Sequence, residues 1–228
     1  VRQGRGAGGN GASGVQLGRR PQGQERVGVG TEGDAAVHAA WQEGQRLAAR
    51  GGGEATASGK QRKGAHGRIG EFAAARLRED ARIAALSLNG WDTHQAQRNA
   101  LPRALTRLSE TLVPLRQKLG RAAWDKTAVV ALTEFGRTAR ENGTGGTDHG
   151  TGGMMVLAGG AVQGGRVHGD WPGLASGDLY QNRDLMPTRD VRAHGAWIMR
   201  GRMGLERSTL EASVFPGLDM GDNPHLLL

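Results

Sequence analysis

Large apolar side chains are sparse and aperiodic over residues 1–66, and they fall into regular patterns from about Gly67 onward. In the first stretch Gly, Arg, Gln, Ala and Ser alternate, and little apolar area is available to offset the entropy of ordering the chain. That segment is expected to be disordered. A short helix around 35–49, anchored by Val37, Trp41 and Leu47, is the one element its pattern suggests. Beyond it, Ile69, Phe72, Ala75 and Leu77 predict a short helix. The run Arg82–Leu88 reads as a buried strand ended by Asn89-Gly90. Leu101, Leu105, Leu108, Leu112, Leu115 and Leu119 recur at steps of four and three, which is one apolar face of a helix ending at Gly120. Pro102 suits its first turn, and Pro114 is expected to bend or break it.

Thr127–Thr133 is a second bounded apolar run and predicts a second buried strand. Strand, helix and strand over about fifty residues predict a βαβ unit with parallel strands and a right-handed crossover. Met154–Ala158 predicts a third strand, and Gly164–Gly169 a tight turn into a short one. Thr188 to about Leu205 predicts a helix with Val191, Ile198 and Met203 toward the core, followed by an extended tail at Val214–Leu218. The fold class expected from this order is α/β, with a domain over 67–228 and a separate low-complexity segment over 1–66.

Composition sharpens this picture in three ways. About half of the 40 glycines fall in the first seventy residues, so the glycine excess belongs to one segment. The net charge of +8 is scattered Arg and Lys without interleaved aromatics, which make up only 4% of the chain. That pattern does not build a groove for a specific nucleic acid, although a basic tail over 1–66 that binds nucleic acid or membrane is a third, weaker rival reading. There is no cysteine, so disulfides, thiolate catalysis, zinc fingers and iron–sulfur clusters are excluded. Any metal must be held by oxygen and imidazole, which suits Zn, Mn, Mg or Ca. No run is long enough to cross a bilayer, and Arg19-Arg20 leads into Pro21-Gln22-Gly23-Gln24 rather than an export signal.

The candidate chemistry sits in three polar clusters: Gly90-Trp91-Asp92-Thr93-His94, Thr133-Glu134-Phe135-Gly136-Arg137-Thr138 and Gly146-Thr147-Asp148-His149-Gly150. The first two follow strand-like runs and the third closes a glycine-rich loop. In an open α/β sheet, ligands bind beyond the carboxyl ends of strands, which places Asp92, His94 and Glu134 on one rim. Taken singly, each residue has a plain reading. Asp92 can cap the following helix, Glu134 can pair with Arg137 or Arg140, and Asp148-His149 can form a turn. Taken together, Asp92, His94, Glu134, Asp148 and His149 are the oxygen and nitrogen donors that a divalent ion needs. Arg137 is placed to offset the carboxylates or to contact an anion such as phosphate or sulfate. No Walker lysine, dinucleotide fingerprint or Gly-x-Ser-x-Gly elbow is present.

These clusters, with Gln97, Glu141-Asn142-Gly143, Gly159-Gly160, Gly164-Gly165-Arg166-Val167, Trp171-Pro172-Gly173-Leu174, Arg189-Asp190-Val191 and Val214-Phe215-Pro216-Gly217, resemble in order the domain-of-unknown-function 1501 family over about residues 70–228. The resemblance implies a bacterial protein exported through the twin-arginine route, with an alkaline-phosphatase-like αβα sandwich. It implies one or two divalent ions held by Asp92, His94, Glu134, Asp148 and His149, with Arg137 contacting the anion or bracing a ligand from behind. It also implies a parent that hydrolyses phosphate or sulfate esters; the alternative is a non-catalytic exported binding or assembly module on the same fold.

Members of that family carry an export signal, a first strand with a metal-binding Asp and a Ser-His segment, none of which matches here. The expected sandwich is therefore N-terminally incomplete, its nucleophile is unassigned, and residues 1–66 have the bias of an out-of-frame reading of GC-rich DNA. A C-terminal half of this kind is expected to be inactive alone and marginally stable, because lost strands expose a sheet edge.

Overall fold

The computed structural model describes residues 64–228 and the backbone of the two-residue strand β1, Gly14–Val15. The other residues of the 1–66 segment, including the helix expected around 35–49, lie outside the described residues. Helix α1 spans Ala65–Arg78 and α2 spans Gln97–Trp124, and the two pack against each other. Strand β2 is Leu86–Ser87, β3 is Val129–Ala131, β4 is Gly136–Arg137, β5 is His149–Gly150 and β6 is Val156–Ala158. Helix α3 spans Val191–Met203, and the short helix α4, Arg207–Thr209, runs into a π-helical turn at Leu210–Val214. The protein is therefore a mixed α/β molecule with small sheets.

The α1–α2 seam is built from small residues on one side. Ala73 and Ala74 of α1 are buried with Leu115 and Leu119 of α2, and Leu86 and Val129 pack on the same cluster. Gly70 of α1 lies so close to α2 that a Cβ there would collide with the Thr111 carbonyl. This close approach shifts the buried stripe of α2 from the one that the leucine period predicts. Ala104, Thr111, Leu115 and Leu119 are buried, whereas Leu105 is half exposed. Pro114 does not break α2; the one non-helical residue in its span is Gly120, with φ 70°. Pro114 costs α2 one intrahelical hydrogen bond, and its ring lies against α1 beside Gly67.

A second apolar cluster joins Ala193 and Ala196 of α3 to Leu210, Leu218 and Met220, with Trp197, Leu205 and Phe215 around it. Asp190 caps α3 by accepting from Arg192 N at 2.8 Å. Val191 and Met203 are both 44% exposed, so Ile198 is the one large side chain of the predicted trio that reaches the interior. The segment 164–169 forms no strand, and the tail begins with the π turn and a bend rather than an extended run.

Strand pairing departs from the βαβ expectation. The sheets among the described residues are two-stranded and antiparallel: β1 with β2, β3 with β6, and β4 with β5. Apolar runs report burial but carry no information on partner or direction; in the first predicted strand only Leu86 and Ser87, near its end, pair, and in the second only Val129–Ala131. Ile83, inside the first run, is 63% exposed. The β4–β5 pair matters most for function, because its register sets Arg137 opposite His149.

Candidate metal centre

The site forms where the 91–96 segment, the β4–β5 pair and the glycine-rich loop 138–152 meet. The loop is clamped onto the 93–97 backbone. Ala96 N and Gln97 N donate to the carbonyls of Thr144 and Gly145 at 3.1 and 2.7 Å, and Thr147 N donates to Thr93 O at 3.2 Å. The first two satisfy the N–H groups of Ala96 and Gln97 at the start of α2, whose N-cap is Ala96 with φ 45° and no side-chain cap. Asp92 is therefore not the helix cap, and its carboxylate is left for other work. Thr93 Oγ1 and Thr147 Oγ1 both donate to Gln97 Oε1, at 2.7 and 2.8 Å, which ties the two ligand-bearing segments together.

Asp92, His94 and His149 each offer one ligand atom, all within 4.8 Å of one another. Asp92 Oδ1 lies 3.0 Å from His94 Nε2 and 2.8 Å from His149 Nε2. Ligands around a tetrahedral ion with bonds of about 2.0–2.1 Å stand about 3.3 Å apart, so two of the three separations already suit one small ion. Closing the third takes a movement on the order of 1 Å, and all three side chains are open enough to solvent to allow it.

The surrounding groups orient these donors. Arg137 Nη2 donates to Asp92 Oδ1 at 3.0 Å and to Trp91 O at 2.7 Å, and its Nη1 donates to Thr147 O at 2.7 Å. Its guanidinium is engaged with the protein and holds Asp92. Phe135 stacks on the His149 ring at 4.1 Å between centroids and 11° between planes, and the Arg137 guanidinium lies over the same phenyl ring at 4.7 Å. Asp148 Oδ1 sits 3.0 Å from His94 Nδ1, on the side of the ring away from Asp92. A carboxylate behind a histidine is the usual second partner of a metal-ligating imidazole, and it fixes the ring and its tautomer. Asp148 thus stands behind the ligand set. Glu134 is exposed and outside the group, and Arg137 and Arg140 turn to Asp92 and Ser176 instead of pairing with it.

Electrostatics agree with this division. Partial burial pushes the Asp92 carboxyl up, but the hydrogen bond from His149, the electrostatic effect of His94 and His149 and the hydrogen bond from Arg137 outweigh it and hold it below its usual value. Asp148 is also held low, first by the Asn142 side-chain hydrogen bond and then by His94. Both carboxylates are therefore ionised at neutral pH, as a cation requires.

Phe135, Asn142 and Gln97 contribute to the site without having been singled out as site residues by sequence reasoning. The signal for Phe135 was its rarity, as one of 3 phenylalanines, beside Arg137. Among the described residues no helix is long and apolar enough to cross a membrane.

Comparison with known proteins gives one match. The family described as "Protein of unknown function (DUF1501)" matches residues 32–196, beginning within the 1–66 segment and covering all three polar clusters. No curated protein and no solved structure matches the chain. With most of its length matched, the chain belongs to the DUF1501 family.

Proposed function

We propose that this chain carries the metal-holding part of a divalent-metal-dependent hydrolase of phosphate or sulfate esters, on an alkaline-phosphatase-like framework, in an exported parent. The observation that supports it most is the convergence of Asp92 Oδ1 with the Nε2 atoms of His94 and His149. Two imidazoles and one carboxylate suit Zn or Mn better than Ca or Mg, which favour all-oxygen sets. A bound divalent ion supplies positive charge for the transferring group and lowers the pKa of a hydroxyl. The chain's own residues provide the scaffold. Arg137 fixes the Asp92 carboxylate, Phe135 fixes the plane of His149, and Asp148 keeps the Nδ1 hydrogen of His94 so that Nε2 presents its lone pair.

A second reading is a non-catalytic binding or assembly module, favoured by one feature. The threonine hydroxyls nearest in sequence to the ligands are all committed: Thr93 and Thr147 to Gln97, and Thr151 to Asp184. Hydrolysis of aryl phosphate and aryl sulfate esters by the Zn- or Mn-loaded parent protein separates the two. Metal-dependent turnover lost in Asp92→Ala supports the hydrolase. Metal binding without turnover of either ester supports the module.

A further inference from the structure

We propose that Asn142 is the positioning residue of this centre: its amide locks the Asp148 carboxylate behind His94 and so sets which ring nitrogen faces the ion. This rests on the metal-site reading of Asp92, His94 and His149.

The amide is engaged at both ends. Asn142 Nδ2 donates to Asp148 Oδ1 at 2.8 Å and to His94 O at 3.0 Å. Asn142 Oδ1 accepts from Thr144 N at 3.0 Å and from Gly146 N at 3.1 Å. Turning the amide over would set its NH2 group against two backbone N–H donors, so the loop backbone dictates which end faces Asp148. The backbone of Asn142 is held as well, with its N donating to Gly146 O at 2.8 Å. Asp148 Oδ1 therefore receives one hydrogen bond from a fixed donor and has its remaining acceptor capacity aimed at His94 Nδ1, 3.0 Å away. Because Nδ2 also grips the carbonyl of His94, one side chain sets both the backbone position of the ligand and the carboxylate behind its ring. On the opposite side of the ring Asp92 Oδ1 lies 3.0 Å from His94 Nε2 but is shared with Arg137 Nη2 and His149 Nε2, whereas Asp148 Oδ1 meets only Asn142 and the ring among the described residues, which places the ring hydrogen on Nδ1.

The test uses Asn142→Asp on the full chain. This change keeps an acceptor for Thr144 N and Gly146 N but puts a second carboxylate where the donor was. Zn titration by calorimetry reads the affinity, a thermal melt reads folding, and nitrogen-15 spectra of the metal-free chain at mildly alkaline pH read the His94 tautomer. The expected result is roughly 10–100-fold weaker Zn binding in a folded variant, with His94 leaving the Nδ1–H form that the unsubstituted chain holds. Unchanged affinity and tautomer in a folded variant overturn the proposal. If the variant fails to fold, the unsubstituted chain decides: Nδ1–H supports the proposal and Nε2–H overturns it. A chain that binds no Zn at all defeats the metal reading, while the ring spectrum still judges the role of Asn142.

Discussion

Gly146 lies directly against the backbone carbonyl of His94, in a space that a Cβ atom would have to share with that carbonyl. The glycine-rich loop is thus a fitted clamp over a ligand-bearing segment, and Gly146 is there for close approach.

Replacing Gly146 with alanine is expected to push the loop off the His94 backbone while leaving the two apolar clusters intact. The measurement is a Zn titration beside a thermal melt. Affinity should fall at least tenfold, as for loss of an outer partner of a ligand, with a smaller effect on the melt. An alanine variant that binds Zn as tightly as the parent would show that the clamp is incidental.

Asp184 is 3% exposed and holds the end of β5, accepting from Thr151 N and Thr151 Oγ1 at 3.0 Å each. The Arg183 hydrogen bond, with help from Thr151, keeps its carboxyl below the usual range against the opposing effect of burial. A depressed folded value means that this stabilisation is complete above the unfolded value near 3.9 and is lost as pH falls through the lower folded value. Asp184→Asn should therefore melt below the parent at neutral pH, and the gap should narrow below about pH 4. Asp184→Ala should cost about 1–3 kcal/mol by leaving buried donors unpaired. A melting gap that stays constant from neutral pH to acid contradicts the assignment.

Gly70→Ala tests the helix seam. The added methyl meets backbone at Thr111, which cannot rotate away, so overpacking should cost about 1–3 kcal/mol. Chemical denaturation checks this, and a neutral or stabilising result would mean that α1 and α2 are not packed as described.

How much of this is legible in the sequence depends on what each residue must touch. The α1 and α2 helices follow from period alone, because a helix face is a local property. The buried stripe of α2 does not, because Gly70 sets the approach of its neighbour against Thr111, and Leu105 stays half exposed. Strand direction was misread for the same reason: Val129–Ala131 pairs with Val156–Ala158 across a long loop, and nothing in either run encodes antiparallel order. In the site, Asp92, His94 and His149 were identifiable as donors because their chemistry is intrinsic to the side chain. Glu134 shares that chemistry, but it is exposed and lies outside the group, which spacing does not reveal. Arg137 was visible as a charge beside the carboxylates, yet its partners are the carbonyls of Trp91 and Thr147, and carbonyls leave no mark in a sequence.

The account stands most directly on whether Asp92, His94 and His149 hold a divalent ion. Calorimetric titration of the full chain with Zn or Mn answers this. Saturable binding is predicted, weakened at least a hundredfold by Asp92→Ala or His149→Ala and unaltered by Glu134→Ala; each lost ligand removes a bond the ion cannot replace from the chain. Absence of saturable binding, or binding that survives both ligand substitutions, would contradict it.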